Sequence, residues 1–333
     1  MPETSAKNAG KRTSYHLYLG VDGGGTRTQI VLMNDAKEIV GEGEAGPSNP
    51  LRVGVETAVA NIVLAVDAAF DAGGFSSGDI QAATLGLAGV RRHDLRERIR
   101  DAFIKRLQVR KALVTTDAEI ALFGTTLGKP GLVVIAGTGS ICLGKNAARE
   151  TAIAGGWGPL AGDEGGGRGI AERALHSVAK ASDGRGISTR LSERALEYFR
   201  ASSVDNLLVA IYSPQVDNSR IAGFARLVVE TAREGDKIAV EILTDAGREL
   251  GVAACAVIKK LKLERKTIPI GCVGSIFKAG ELLTDRMFAE IHAIAPKAFL
   301  AEPLMIPSHA AALMAFESSR MEAEKKTPTI RKS

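Results

Sequence analysis

The residues near the start of the chain that are best suited to chemistry form a glycine-rich turn between two apolar segments. Asp22-Gly23-Gly24-Gly25-Thr26 ends the first segment and leads into the second. Because glycines carry no Cβ atom, their N–H groups can lie directly against an anion such as a phosphate. The Asp22 carboxylate could hold Mg²⁺ through water at the same place. The alternative is an ordinary β-hairpin with a glycine-rich bend, since strand, short turn and strand is also the hairpin pattern.

Two further polar side chains, those of Asp117 and Asn49, lie next to segments whose backbone conformation is restricted. Asp117 directly follows an apolar segment at residues 112–116 that is typical of a β-strand. Side chains at the carboxyl ends of strands point into the crevice where α/β proteins bind ligands. Asp117 could also cap the helix that begins at Ala118, and the two roles are compatible. Asn49 stands between two prolines, which gives its polar side chain a stiff support.

A later loop at residues 151–169 is the richest in side chains that could bind a ligand. It contains Gly155-Gly156-Trp157-Gly158 and then Gly162-Asp163-Glu164-Gly165. Asp163 could hold a sugar hydroxyl or simply stabilise the loop. Trp157, the one tryptophan of the sequence, lies outside any periodic apolar stripe. That position favours a ligand-facing ring over a place in the core.

Other common sites are disfavoured by their patterns. Residues 139–146 nearly match the P-loop, but Asn146 replaces the hydroxyl residue that binds Mg²⁺, and the segment is typical of a strand. No GxGxxG follows a strand and opens a helix, so a dinucleotide fold has little support. The five histidines lack metal-site spacing. Cys142, Cys255 and Cys272 are too far apart in sequence to indicate a disulfide frame or a metal cluster.

Length and charge indicate the broad class of protein. The 333 residues are enough for about two domains. The net charge is +5, but basic residues gather at the two ends, which indicates solvated tails rather than nucleic-acid-binding arms. No apolar run reaches the length of a membrane span, and residues 1–14 lack the apolar core of a signal peptide. We therefore expect a cytoplasmic protein that binds neither nucleic acid nor membrane, with a disordered tail at 1–14 and a charged tail at 321–333.

Strands and helices alternate in two similar blocks. In the first block, strands are expected at residues 16–22, 28–34, 38–45, 82–87 and 112–116, with helices at 51–72 and 94–107. This alternation is typical of an α/β fold with a partly parallel sheet. The second block repeats the hairpin at 131–136 and 141–144 around Gly137-Thr138-Gly139-Ser140, continues as helices over 170–263, and ends with strands at 269–273 and 298–302 and helices from 278 and at 309–320. We expect two like-folded domains that face each other across a cleft.

Six short motifs, taken in order, resemble one known family. They are Asp22-Gly-Gly-Gly-Thr26, Thr116-Asp117-Ala118, Gly137-Thr-Gly-Ser140, Gly155-Gly-Trp-Gly158, Gly162-Asp-Glu-Gly165 and Gly271-Cys-Val-Gly-Ser275. From about residue 17 to 317 the sequence resembles the N-acetylglucosamine kinase branch of the BadF/BadG/BcrA/BcrD ATPase family, within the sugar kinase, Hsp70 and actin superfamily. Each motif alone is weak evidence, whereas six in register are specific.

The resemblance implies a fold and a division of the chain. It implies two ribonuclease-H-like domains of the actin-like ATPase type, with an ATP and sugar cleft. The N-terminal domain would span residues 15–118 together with a closing helix at 305–320. The C-terminal domain would span residues 119–304, and its helix-rich half would form a homodimer.

The resemblance also implies an activity, which is phosphorylation of an amino sugar at the expense of ATP and Mg²⁺, at O6 of N-acetylglucosamine or glucosamine. Asp117 would be the catalytic base, and Asp22 would hold the metal. The residues assigned in this way to ATP are Asp22, Gly23, Gly24, Gly25, Thr26, Gly137, Thr138, Gly139, Ser140, Gly274 and Ser275. Those assigned to the sugar are Asn49, Asp117, Gly139, Trp157 and Asp163.

One position departs from the family pattern. The family's N-acetylglucosamine kinases follow the second glycine turn with Asn, which helps to read the sugar, whereas this chain has Ile141. N-acetylmuramic acid or another hexose therefore stays open as the substrate. A rival function is an ATPase that drives a redox partner, which would need closely placed cysteines for an iron–sulfur cluster. A sugar-binding regulator is disfavoured because no helix-turn-helix segment is evident.

Overall fold

The same strand arrangement occurs twice in the part of the chain that the computed structural model describes, residues 15–326. Within these residues, one compact unit comprises residues 15–116 together with residues 308–326, and the other comprises Asp117–Pro307. The tail expected at residues 1–14 lies outside the described residues, as do residues 327–333 of the tail expected at 321–333.

The elements follow one another in a regular alternation of strands and helices. In chain order they are β1 (Leu17–Gly23), β2 (Thr28–Met33), β3 (Ile39–Ala45), α1 (Pro50–Val53), α2 (Val55–Gly73), β4 (Ile80–Leu87), α3 (His93–Leu107), β5 (Ala112–Thr116), α4 (Asp117–Thr126), β6 (Gly131–Ala136), β7 (Ser140–Lys145), β8 (Thr151–Gly155), α5 (Gly167–Ser182), α6 (Leu191–Phe199), α7 (Val204–Ile211), α8 (Asn218–Gly223), α9 (Ala225–Arg233), α10 (Lys237–Lys260), β9 (Ile268–Val273), α11 (Glu281–His292), β10 (Ala298–Ala301) and α12 (Pro307–Lys326).

Each unit contains one mixed sheet, and the two sheets have the same order. The first is β3-β2-β1-β4-β5, in which β1, β2 and β3 pair antiparallel while β1, β4 and β5 pair parallel. The second, read from the corresponding edge, is β8-β7-β6-β9-β10, in which β6, β7 and β8 pair antiparallel while β6, β9 and β10 pair parallel. The predicted α/β class and the predicted duplication are therefore confirmed.

The central strand of the first sheet, β1, is buried along almost its whole length. An apolar run without a polar face is typical of a strand that is covered on both sides. Gly20 lies directly against α12, where a Cβ atom would overlap the Ser308 carbonyl oxygen and the Ala312 nitrogen. Glycine is required here because the main chain of α12 packs onto β1, the strand that leads into the turn at residues 23–27.

Alternating side chains along β6 and β7 divide the core of the second unit into two faces. Val133 and Leu143 pack on the face that α4 covers. Val134 and Cys142 pack on the opposite face, in the larger core built with α5, α9, α10 and α11. Both strands are thus held between helices, and the short turn between them is fixed at its two ends.

Most predicted elements are confirmed to within one or two residues, but four predictions were wrong in part. The helix expected at 51–72 is interrupted at Gly54, whose φ of 80° ends α1 before α2 begins. The loop expected at 151–169 begins with β8, because residues 151–155 pair antiparallel with β7. The helix expected from 278 is a 3-10 turn at Ser275–Ala279 followed by α11. The final helix, expected at 309–320, continues to Lys326, so the first part of the expected charged tail is helical.

No helix within residues 15–326 combines the length and the apolar character needed to cross a membrane.

Candidate functional site

The first glycine turn connects β1 to β2 and is tied to the segment that precedes α1. The Gly24 N–H donates to the Arg27 carbonyl at 2.9 Å, which closes the turn. The Gly24 carbonyl in turn accepts from the N–H groups of Ser48 and Asn49, each at 3.1 Å. Asp22, partly buried, lies at the end of β1 opposite Gln29 of β2. The turn and Asp22 are therefore presented together at the carboxyl end of β1.

Asn49 caps a helix and lies at the same end of the first sheet. Its Oδ1 accepts from the Leu51 N–H at 3.0 Å, as the N-cap of α1. The same side chain rests against Gly89, two residues beyond β4, where φ is 81° and a Cβ atom would overlap Asn49 Oδ1. Because β4 pairs parallel with β1, the carboxyl ends of the two strands lie at the same edge of the sheet. Asn49, which contacts Gly89 just beyond β4, therefore lies at the same edge as Asp22. In the first unit the structure thus brings together residues 22–26 and Asn49.

The second glycine turn connects β6 to β7 and supports the start of α5. The Gly137 N–H donates to the Gly139 carbonyl at 2.9 Å. The carbonyls of Gly137 and Thr138 accept from the N–H groups of Gly167 (2.8 Å) and Arg168 (2.9 Å). The first N–H groups of a helix have no partner within the helix. The turn therefore satisfies two of them and is held in register with α5.

The segment that follows β9 lies against the same turn. Gly274 has φ of 119°, a conformation that favours glycine. A Cβ atom at Gly274 would overlap the Ala136 carbonyl oxygen and would lie 3.1 Å from the Gly137 nitrogen. Gly274 and Ser275 are both exposed. The structure therefore groups residues 137–140 with residues 274–275 at the carboxyl ends of the neighbouring strands β6 and β9.

Asp163 and Trp157 lie on the other side of the second turn. The Asp163 side chain contacts Gly139, and its Oδ1 accepts from the Gly158 N–H at 3.3 Å. Burial raises the pKa of the Asp163 carboxyl, while hydrogen bonds from the N–H groups of Gly158 and Ser140 oppose that rise. Trp157 is 67% exposed, so its ring is not part of the core. These contacts put the loop after β8 beside the turn between β6 and β7.

Asp117 opens α4 and has a desolvated carboxylate. Burial raises the pKa of the Asp117 carboxyl, the Ala118 N–H at 2.9 Å from Oδ1 opposes the rise, and the nearby Glu119 charge adds to it. Ala118 belongs to the apolar cluster against which Ile141 packs. Ile141 also lies under the loop after β8, where a Cβ atom on Gly156 would be 2.7 Å from Ile141 Cδ1. The residue that departs from the family pattern therefore packs against the cluster that contains Ala118, the neighbour of Asp117 in the sequence.

Sequence reasoning missed two arginines, one beside each turn. Arg52 Nη1 donates to the Gly25 carbonyl at 2.6 Å. Arg168 stands in the first turn of α5, where its Nη2 pairs with Glu172 at 2.8 Å and its Nε is buried with no hydrogen-bond partner among the described residues. A cation at the start of a helix opposes the helix dipole. That position, directly after three glycines, was the signal in the sequence for an acidic partner, and Glu172 four residues later supplies it.

At Gly24 and Gly137, in these turns, no close contact within the described chain requires glycine. A Cβ atom at Gly137 would meet no protein atom within 4 Å, and at Gly24 the nearest would be the Arg27 carbonyl oxygen at 3.5 Å. Neither residue has the positive φ that favours glycine. A ligand that approaches the main chain closely would explain both, and phosphate groups bind backbone N–H groups in this way.

The arrangement of acidic side chains fits a metal ion whose other ligands are water and a bound phosphate. Among the described residues, no group of three or more His, Cys, Asp or Glu side chains could hold a metal ion. Mg²⁺ keeps several waters and is commonly bound by one or two carboxylates together with substrate phosphates. Asp22, a single carboxylate beside the first glycine turn, fits that mode if the turn binds a phosphate.

Comparison with known proteins finds sugar kinases. An N-acetylmuramic acid/N-acetylglucosamine kinase from Clostridium acetobutylicum is 32% identical over 267 residues, 80% of this chain and 87% of that protein. An N-acetyl-D-glucosamine kinase from Dictyostelium discoideum is 30% identical over 324 residues, 92% of this chain and 100% of that protein. A solved structure from Chromobacterium violaceum, of a protein proposed to be an N-acetylglucosamine kinase, has a TM-score of 0.75 and 26% identity, covering 90% of this chain and 99% of that one.

The match to a family extends over nearly all of the described chain. Residues 19–311 match the BadF/BadG/BcrA/BcrD ATPase family, a stretch that includes both glycine turns and all strands of both sheets except the first two residues of β1. The two relatives are covered along most of their length, so the likeness concerns whole proteins and not one shared segment. The chain belongs to the BadF/BadG/BcrA/BcrD ATPase family.

Proposed function

We propose that this protein is an ATP-dependent amino-sugar kinase, which transfers the γ-phosphate to O6 of N-acetylglucosamine or glucosamine. The observation that carries the proposal is the combination of two turns whose glycines nothing in the chain requires, Gly24 and Gly137, with the desolvated carboxylate of Asp117. Family membership and two curated relatives that are amino-sugar kinases support the same activity.

The two turns are proposed to bind the phosphates of ATP through main-chain N–H groups at residues 23–26 and 137–140. Phosphoryl transfer depends on positioning and on charge neutralisation, for which such groups are suited. Gly274 and Ser275, in contact with the second turn, would hold the adenosine. Asp22 would hold Mg²⁺, which supplies charge neutralisation on the phosphate oxygens when it is bound.

Asp117 is proposed as the general base. The proton of the sugar hydroxyl passes to the Asp117 carboxylate as the hydroxyl oxygen forms its bond to the γ-phosphorus. The bond from that phosphorus to the oxygen bridging the β- and γ-phosphates breaks, and ADP leaves. A carboxylate whose pKa is raised by burial accepts a proton more readily than an exposed one.

The sugar is proposed to contact Asn49, Gly139, Trp157 and Asp163 as well as Asp117. Carboxylate and amide groups can each pair with sugar hydroxyls, and an exposed indole ring can cover the apolar face of a hexose. Ile141 offers no hydrogen bond near Asp117, so N-acetylmuramic acid remains a second candidate substrate. One of the curated relatives is named for both N-acetylated sugars.

The cysteines do not support the rival function, an ATPase with an iron–sulfur cluster. Cys142 is fully buried, and Cys255 and Cys272 pack against the same core of the second unit. Burial raises the pKa of the Cys272 thiol to about 12, which disfavours the thiolate that a cluster needs. We propose that the protein acts in the cytoplasm, where ATP is supplied. We also propose that it is a homodimer, and light scattering of the purified protein tests this.

A ³¹P spectrum of the reaction mixture tests the proposed chemistry. With MgATP and N-acetylglucosamine we expect ADP and one new phosphomonoester signal, split by coupling to the two protons on C6. Signals of ADP and inorganic phosphate alone would instead identify an ATPase. Asp117→Asn serves as the matched control, because it keeps the shape of the side chain and removes the base.

A further inference from the structure

Strand β10 forms one edge of the second sheet, and its exposed side chains are apolar. Among residues 15–326 it pairs with β9 alone, so no strand lies along its other side. Phe299 is 47% exposed and Leu300 is 53% exposed. An edge strand with exposed apolar side chains is a template for pairing with another strand. Strand β10 therefore offers a surface to a strand from outside this sheet.

The outer strand of the first sheet, β3, has the protection that β10 lacks. Strand β3 carries the exposed side chains of Glu42 and Glu44. Charged side chains on an edge strand oppose its pairing with another chain. Strand β10 contains no charged residue. The two edges therefore differ in the feature that prevents a sheet from extending.

Phe299 projects to the face of the sheet that α4 covers. In the register with β9, Phe299 lies opposite Pro269. A Cβ atom at Gly131 would lie 2.8 Å from Thr126 Cγ2 and 2.9 Å from Pro269 Cγ. Thr126 is the last residue of α4, so this helix ends beside Pro269. The exposed ring of Phe299 is therefore on the same face as the end of α4.

Two exposed leucines belong to the end of α4. Leu127 directly follows the helix. Leu304 is held at the helix by its N–H, which donates to the Gly124 carbonyl at 2.9 Å. Leu300 projects to the opposite face of the sheet from Phe299, because side chains alternate along a strand. Exposed apolar side chains therefore border the edge on both faces of the sheet.

The two ends of β10 carry opposite charges. Lys297 directly precedes the strand and Glu302 directly follows it. Both side chains are exposed, and neither has a hydrogen bond or an ion pair with another described residue. Antiparallel pairing of β10 with a second copy of itself would bring Lys297 to the end of the strand that carries the partner's Glu302. Parallel pairing would bring like charges together. The charges therefore favour a second copy in antiparallel orientation.

We propose that two copies of this protein associate through their β10 strands, antiparallel about a two-fold axis, so that two five-stranded sheets become continuous. Such a contact is isologous, with the same surface used on both copies. A specific interface buries roughly 1,200 Å² or more, so Leu127 and Leu304 would extend the contact beyond the four residues of each strand. The inference rests on the proposed function for the homodimer and not for the kinase activity. It puts the contact at a strand edge, whereas the resemblance implies the helix-rich half.

Sedimentation of the purified full chain over a range of concentrations measures the dissociation constant of the dimer. Phe299→Lys puts a charge in the middle of the edge, and we expect the dissociation constant to rise by at least about tenfold, about 1.4 kcal/mol. Leu208→Lys is the matched control, because Leu208 is exposed on α7 in the helix-rich half. We expect this control to leave the dissociation constant unchanged. Melting curves recorded alongside show whether each variant is folded.

An exchange of charges tests the antiparallel orientation. Lys297→Glu would put two like charges at each end of the strand pair, and we expect the dissociation constant to rise about threefold to tenfold. Adding Glu302→Lys to that variant makes the charges opposite again and should restore the wild-type value. Both positions are exposed, so these variants also decide the matter if Phe299→Lys does not fold.

Three results would overturn the inference. They are an unchanged dimer in folded Phe299→Lys, a dimer lost in Leu208→Lys alone, and a double charge variant that is no tighter than Lys297→Glu. The first two would leave the homodimer in place with another interface, whereas a monomeric wild type would refute both the interface and the homodimer. A wild type that dimerises through β10 but phosphorylates no sugar would refute the kinase and leave the interface intact.

Discussion

The Asp163 carboxylate lies directly against the main chain of Gly139, where a Cβ atom would overlap Asp163 Oδ2. Asp163 also has a φ of 64°, an uncommon conformation for a residue other than glycine. One of these residues is the proposed sugar ligand, and the other is part of the proposed phosphate-binding turn. The contact therefore links the proposed sugar ligand to the proposed phosphate-binding turn through atoms of a single unit.

Gly139→Ala should break this link. The added methyl group forces the Asp163 carboxylate away from its place, so we expect the KM for the sugar to rise by about tenfold or more, since misplacement by about 1 Å can cost about a hundredfold. The KM for ATP should rise less. Steady-state kinetics with each substrate varied in turn provide the measurement, and an unchanged KM for the sugar would separate Asp163 from the site.

Gly137→Ala is predicted to weaken ATP binding without a change in protein contacts. Because an added methyl group meets no protein atom within 4 Å, the melting temperature should stay that of the wild type. The methyl group would occupy space proposed for a phosphate, so ATP should bind at least about tenfold more weakly, about 1.4 kcal/mol. Calorimetry and thermal unfolding measure the two quantities. Normal ATP affinity in this variant would show that the turn does not bind phosphate.

Asp117→Asn should lose turnover and keep binding. General base catalysis contributes roughly 10²- to 10⁴-fold in rate, and we expect kcat to fall by about that factor. The amide keeps the size of the side chain, so the dissociation constant of the sugar should change little. Rapid-quench measurements of a single turnover would locate the loss in the chemical step. A variant with near-normal kcat would contradict the role of Asp117 as base.

The raised pKa of Asp117 also has a consequence for stability. A carboxyl whose pKa is higher in the folded than in the unfolded state binds more protons when folded, so the free energy of unfolding falls as pH rises through these pKa values. Above the unfolded-state pKa, Asp117 therefore lowers the free energy of unfolding, and Asp117→Asn should raise the melting temperature at neutral pH. The difference should disappear at a pH below both pKa values. Equal melting temperatures at neutral pH would contradict the assigned burial.

Ile141 should influence which amino sugar is preferred. It packs against the cluster that contains Ala118, next to Asp117, and lies under Gly156. Ile141→Asn would place an amide at this position, and we expect the ratio of kcat/KM for N-acetylglucosamine over glucosamine to increase. Ile141→Val is the control that keeps the apolar character and should keep the ratio. The same ratio in all three proteins would show that Ile141 does not contact the acetamido group.

The sequence was sufficient for features that depend on local pattern. The two hairpins, their glycine turns and the duplication follow from alternating apolar runs broken by glycine, and the structure confirms them. Strand β8 was missed because residues 151–155 form only a short segment that runs directly into the glycine-rich loop, and pairing with β7 makes them a strand. The duplication itself was the missed signal, since β8 occupies the place that β3 has in the first sheet.

Contacts between distant segments could not be predicted in this way. The position of Ala222 beside Gly167 and the contact of the Asp163 carboxylate with Gly139 depend on how segments pack that are far apart in the chain. Periodicity determines which face of a helix is buried but not which carbonyl meets which glycine. Arg168 could be predicted only in part. Its place at the start of a helix was visible in the sequence, but the burial of its Nε was not.

The measurement that tests the central claim most directly is ADP release, coupled to NADH oxidation, with MgATP and a panel of sugars. The panel contains N-acetylglucosamine, glucosamine, N-acetylmuramic acid, N-acetylmannosamine and glucose. We predict a rate that depends on the sugar, is highest with one of the first two, and is lost in Asp117→Asn. A rate of ATP hydrolysis that is the same with every sugar and with none would contradict the kinase and indicate an ATPase that acts on a partner.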